Sequence, residues 1–168
     1  MNWSRKATIF WPVLAVLVLT DCATKRLAVL ELSPTSMPRD VVGDVVRFSL
    51  AYNPGAAMSI YLGPWSRIIF TAVALGAVGV LAALYRRTAA ADAGRALALA
   101  LVIGGAVGNL IDRLRSPLGV VDFIDVGVGS SRFWTFNIAD VGVTCGAIAL
   151  GWVLLRQEDE QTAPSPRI

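Results

Sequence analysis

Four stretches of the chain are almost continuously apolar: Ala7 to Leu30, Ser66 to Tyr85, Ala96 to Ile111 and Ile138 to Leu155. Each approaches the roughly 20 residues that a helix needs to cross a bilayer, so the pattern predicts spans at about 7–30, 66–85, 96–113 and 138–155. Between the first two lies a long connection, Glu31 to Trp65, in which Val46 to Tyr52 alternates apolar with smaller or polar residues. That period of two predicts a strand, and a connection of this length predicts a small β platform at 31–65 on the outer membrane surface. The second connection, Arg86 to Arg95, is short and basic, which makes the second and third helices antiparallel neighbours. The third, Leu114 to Phe136, is rich in Gly and Asp and reads as an outer loop. The expected architecture is an all-α membrane protein of four transmembrane helices with a small β platform on the outer face between helices 1 and 2. It forms one domain, 1–157, followed by a disordered cytoplasmic tail at 158–168.

Composition sharpens this picture. The 168 residues are 55% hydrophobic and 16% charged, with mean hydropathy +0.62, which is too apolar for a water-soluble domain of this size. The net charge of +3 matters less than where the charges fall, so a nucleic-acid partner is not expected. Arg5 and Lys6 precede the first helix, Arg86, Arg87 and Arg95 fill the second connection, and Arg156 follows the fourth helix, which places these sites and both termini in the cytoplasm. Leu19-Thr20-Asp21-Cys22 loosely imitates a lipid-attachment box, but Asp21 stands where a small neutral residue is needed, so the segment reads as a retained first helix. Cys22 and Cys145 sit in or beside apolar helices and read as packing residues. The absence of histidine excludes Ser-His-Asp triads, His-based zinc sites and histidine general bases.

Chemistry is therefore left to carboxylates, lysine, hydroxyls and thiols. Asp21 and Lys25 are one helical turn apart and share a face. Asn53-Pro54-Gly55 forms a turn signal after the strand, in which Asn53 can aim its amide at a bound backbone that Gly55 and Ala56 let come close. Gly104 and Gly108 have the small-xxx-small spacing of tight helix contacts in lipid, and Asn109 shares a face with Arg113. Four aspartates follow: Asp112, Asp122, Asp125 and Asp140. Asn137 can cap the fourth helix with Asp140 as a favourable first-turn charge, whereas Asp122 lies among large apolar residues, a setting that raises a carboxyl pKa. Two carboxylates brought close in a dry site share a proton and can hydrolyse a peptide without histidine. Spacing alone leaves open which two of the four pair. It also leaves open a carrier that uses Asp21, Lys25, Asp122 and Asp140 as an ion path, and a Ser/Lys peptidase built on Lys25.

The chain resembles the lipoprotein signal peptidases, or type II signal peptidases, which are bacterial inner-membrane aspartic peptidases. The resemblance rests on five segments in the family's order: Asp21 to Lys25, Asn53 to Ala57, Gly104 to Arg113, Val121 to Phe123, and Phe136 to Asp140. It implies that Asp122 and Asp140 are catalytic, that Asn53, Asn109, Arg113 and Asn137 line the substrate site, and that Asp21 and Lys25 hold its architecture. Gly55 and Gly108 belong to the same segments. Met58 departs from the family's usual aromatic, and Val141 from a common small hydroxyl residue. The resemblance further implies a monomer with no metal or organic cofactor, embedded in membrane lipid with its active site toward the periplasm. Its expected reaction is cleavage of diacylglyceryl-modified prolipoproteins just before the lipidated cysteine.

Overall fold

A computed structural model describes residues 4–33, 37–55 and 63–162, without side-chain detail from 158 onward. Its order is α1 (Arg5–Leu32), β1 (Arg39–Val42), β2 (Val46–Asn53), a 3-10 turn at Gly63–Trp65, α2 (Ser66–Arg87), α3 (Ala93–Arg115), β3 (Val120–Val128), β4 (Ser131–Arg132) and α4 (Ile138–Thr162). All four helices are long and apolar enough to cross a membrane. Ala56, Ala57 and Met58, named above, lie outside the described residues.

Helix α3 is the centre of the bundle, packed between α1 and α4, with α2 against it from outside. Its glycines make this possible. A methyl group on Gly104 would meet Leu17 of α1, one on Gly105 would collide with the Ala139 carbonyl of α4, and one on Gly108 would lie 2.5 Å from Asp21 Oδ2. The bundle's exterior is the reverse of a soluble protein's, with Val16, Leu19, Ile68, Val73, Val80, Ile148 and Leu155 all exposed. In water such a surface aggregates; in lipid it is solvated.

One end of the bundle is fastened by the basic residues at the helix junctions. Lys6 Nζ donates to the carbonyls of Thr88 (2.6 Å) and Tyr85 (3.3 Å), satisfying the end of α2 where its carbonyls have no helical partner. Asp92 caps α3 by accepting from the Arg95 amide at 2.9 Å, and Gln157 of α4 donates to the same carboxylate at 3.1 Å.

The other end carries a four-stranded antiparallel sheet in the order β1-β2-β3-β4. Here the structure corrects the expected platform: half of the sheet comes from the third connection, so it is not built between helices 1 and 2 alone. β3 was hidden because Asp122, Asp125 and Gly127 interrupt its apolar run, yet Val120, Val121, Asp122 and Phe123 are all buried. Phe123 packs with Ala28 and Leu32 of α1 and thereby seats the sheet on the bundle. Helix α4 also runs through Thr162, into the segment expected to be a disordered tail. Residues 163–168 lie outside the described part.

Candidate active site

Three devices bring the polar residues of the sheet end together. First, β2 pairs with β3 so that Ala51 faces Asp122 and Asn53 faces Val120, with an irregularity between Phe48 and Ala51. The chain enters β3 through Gly119, whose φ of +96° and contact with Asn53 O and Pro54 Cα leave no room for a side chain. Second, the Phe136 carbonyl accepts from the amides of Phe123 (3.0 Å) and Ile124 (2.8 Å), which pins the start of α4 beside β3. Third, α4 opens with a reciprocal cap: Asn137 Oδ1 accepts the Asp140 amide at 3.0 Å, while Asp140 Oδ2 accepts the Asn137 amide at 3.1 Å.

The cap leaves the other end of the Asn137 amide free to work inside the site. Asn137 is completely buried, and its Nδ2 reaches Asp122 Oδ1 at 2.6 Å, Asn109 Oδ1 at 3.1 Å and the Val121 carbonyl at 3.2 Å. Asp122 Oδ2 accepts from Asn53 Nδ2 at 3.3 Å, and Asp140 Oδ1 accepts from Asn109 Nδ2 at 2.8 Å. Both carboxylates thus receive amide N–H groups on both oxygens. Asn53 Oδ1 accepts the Gly55 amide at 3.0 Å, and Arg113 Nη2 donates to the Gly55 carbonyl at 3.0 Å, so α3 holds the turn that follows β2.

Beneath this layer lies a buried charge cluster. Lys25 Nζ is 2.8 Å from Asp21 Oδ2, 3.0 Å from Asp112 Oδ2 and 2.8 Å from Asn109 Oδ1. Asp21 Oδ1 accepts the Ala139 amide of α4 at 2.9 Å, and Asp112 Oδ2 accepts the Val121 amide at 3.2 Å. By occupying Asn109 Oδ1, Lys25 turns the Asn109 amide so that its N–H faces Asp140. The ammonium is committed to two carboxylates and an amide, which removes the ground for a Ser/Lys reading.

The four aspartates therefore separate by their partners. Asp112 is bound to Lys25, and Asp125 pairs with Arg132 Nε at 2.9 Å on the sheet edge. Asp122 and Asp140 instead line a cavity of about 480 Å³ together with Asn53, Asn109 and Arg113. Burial, with the neighbouring Asp140 charge as a second cause, raises the Asp122 carboxyl to about 6. The rest of the wall was not anticipated: Phe133, Trp134, Thr135 and Phe136 form one side, and Val141, Thr144 and Cys145 of α4 another. The aromatic run just before Asn137 was the available signal. Cys145, expected to be packing, is exposed in this wall.

The fold superposes on those of two solved bacterial membrane enzymes, both determined by the in meso method. One, at 2.3 Å resolution, superposes with a TM-score of 0.79 at 26% identity, covering 92% of each chain. The other, at 1.9 Å, gives 0.72 at 28% identity over 85% of this chain and 90% of its own. These define a class, the multi-pass bacterial membrane enzymes. Residues 13–156 match the signal peptidase (SPase) II family, and the chain belongs to that family. Relatives named lipoprotein signal peptidase include one from Xanthomonas euvesicatoria, 40% identical over 146 residues (86% of this chain, 84% of the relative). Another, from Rhodococcus jostii, is 39% identical over 153 residues (87% and 72%).

Proposed function

We propose that this peptidase removes the signal peptide from diacylglyceryl-modified prolipoproteins, cleaving before the lipidated cysteine with Asp122 and Asp140 as an aspartic dyad. The observation that carries the reading is the convergence of these two carboxyls, from β3 and from the first turn of α4, on one cavity, with Asn137 donating to both: its side-chain Nδ2 to Asp122 and its backbone amide to Asp140. Family membership supplies the substrate class.

The chemistry follows from the hydrogen bonds. Asp140 sits in the first turn of α4, where its two oxygens accept from Asn109 Nδ2 and the Asn137 backbone amide. Asp122, with its carboxyl raised to about 6, holds the proton. Asp140 takes a proton from water as it attacks the scissile carbonyl, and Asp122 protonates that oxygen; Asp140 then hands the water proton to the leaving amine as the C–N bond breaks, while Asp122 recovers a proton from the diol. Arg113 lines the same cavity and supplies positive charge for the developing oxyanion. Phe133, Trp134 and Phe136 give the apolar wall a lipidated substrate needs.

In this reading the sheet and cavity face the periplasm and both termini lie in the cytoplasm. Support comes from Lys6, Arg86, Arg87 and Arg95 at the opposite end. The arginines of the sheet itself, Arg39, Arg47 and Arg132, are each offset by a carboxylate. The test of the substrate class uses purified enzyme in detergent with one prolipoprotein prepared with and without diacylglyceryl on its cysteine. Cleavage of the modified form alone is expected; equal cleavage of both forms contradicts the assignment.

A further inference from the structure

A second cavity, of about 610 Å³, opens on the other side of Lys25, between the end of α1 and the end of α3. Its wall includes Cys22, Arg26 and Val29 of α1 and Asp112 and Arg115 of α3. Arg26 and Arg115 are exposed, and among the described residues neither has an ion pair or hydrogen bond. This separates them from every other arginine at the sheet end. Arg39, Arg47 and Arg132 have carboxylates, while Arg67 and Arg113 donate to backbone carbonyls.

The surroundings are apolar. Leu27 and Leu30 beside Arg26, and Leu114 beside Arg115, are all more than half exposed on the lipid-facing exterior. Arg26 lies six residues before the end of α1, roughly 9 Å down the helix toward the bilayer interior at 1.5 Å per residue. An uncompensated guanidinium at that depth is costly and calls for a counter-charge. Lys25, Arg26, Arg115 and Asp112 line the cavity, and Asp21, buried and outside the lining, is paired with Lys25. Counted as charged, these groups leave one positive charge, which is the charge of one phosphodiester. Along the same face of α1, Cys22 and Val18 follow one and two turns toward the membrane centre, a track for acyl chains.

We infer that Arg26 and Arg115 form a binding site for the phosphodiester of an anionic glycerophospholipid, seated between α1 and α3 with its chains along α1. Two guanidinium forks match the phosphate oxygens, and apolar tails match the flanking surface, which a free phosphate does not use. A zwitterionic lipid brings an extra ammonium into a site whose single positive charge is already satisfied. The site is separate from the catalytic cavity and does not rest on the peptidase reading.

The test is native mass spectrometry of the full chain released from detergent, titrated with phosphatidylglycerol or phosphatidylcholine of identical acyl chains. Wild type is expected to retain one phosphatidylglycerol at a concentration about thirtyfold below that needed for phosphatidylcholine, the scale set by two interfacial arginines. The double variant Arg26→Gln/Arg115→Gln loses that preference, while Arg86→Gln/Arg87→Gln at the opposite end keeps it. Cys22→Trp fills the cavity without touching its charges and also abolishes retention, which guards against a double variant that fails to fold. No preference in wild type, retention in the Arg26/Arg115 or Cys22 variant, or displacement of the lipid by millimolar inorganic phosphate would each overturn the site.

Discussion

Replacing Asp122 by Asn should abolish activity and yet stabilise the protein above about pH 6. The Asp122 side chain is 4% exposed, and its carboxyl is raised from 3.8 to about 6, chiefly by burial. The sign follows from linkage. Below 3.8 the group is protonated in both folded and unfolded chains. Between 3.8 and 6 the unfolded chain ionises first, so stability falls as pH rises; above about 6 the full cost is present and constant. The 2.2-unit interval corresponds to about 3 kcal/mol at 1.36 kcal/mol per unit. Asn removes this cost but turns its own NH2 toward one of the two amide donors, Asn137 or Asn53, and forfeits a hydrogen bond worth about 1 kcal/mol. The net gain is about 2 kcal/mol, or roughly 4–8 °C in melting temperature for a chain of this size. Thermal unfolding followed by tryptophan fluorescence in detergent, from about pH 4 to 8, should show the variant slightly less stable than wild type in acid, crossing it as pH rises and reaching a plateau above it beyond about pH 6. A variant less stable than wild type at neutral pH, or a difference that does not change with pH, would refute a buried carboxyl held against its charge. The same reasoning predicts that kcat/KM rises as pH falls from about 8 toward 6, where the protonated Asp122 becomes populated.

Other consequences follow from the packing. Lys25→Met leaves Asp21 and Asp112 facing each other without a cation and should cost about 3–5 kcal/mol; a melting temperature within a degree of wild type would contradict the charge cluster. Gly108→Ala puts a methyl group against Asp21 and Ala139; it should cost about 1–3 kcal/mol and lower kcat more than it raises KM, and kinetics at wild-type level would show the helices are not so close. In a Cys22→Ser background, a bulky maleimide on Cys145 should block cleavage by filling the cavity wall; full activity of the quantitatively labelled enzyme would place Cys145 outside the substrate's path.

The bundle was legible because lipid imposes a simple rule: every span must be long and apolar, and Ser66 to Tyr85 has no other reading. The pairings Asp21 with Lys25 and Asn109 with Arg113 were legible as helix faces, though only the folded chain shows Lys25 joined to Asp112 across α1 and α3. The sheet was half legible. Val46 to Tyr52 has the period of a surface strand, whereas β3 is buried over its first residues and carries the aspartates that interrupt its apolar run. Asn137 was read as a cap, which it is. That the same side chain also bridges Asp122 and Asn109 depends on contacts 15 and 28 residues away, which no local pattern records. The choice of Asp122 and Asp140 from four aspartates came from resemblance alone. In the structure the separation has a physical basis, since Asp112 and Asp125 are each held by a cation.

Joint action of Asp122 and Asp140 on one peptide bond is tested by single-turnover cleavage of a diacylglyceryl-modified prolipoprotein. Wild type would be compared with Asp122→Asn, Asp140→Asn and the exposed Asp40→Asn, each shown to be folded by its thermal transition. No detectable product is expected from the first two variants, and wild-type rates from Asp40→Asn. Substantial cleavage by folded Asp122→Asn or Asp140→Asn would contradict joint action.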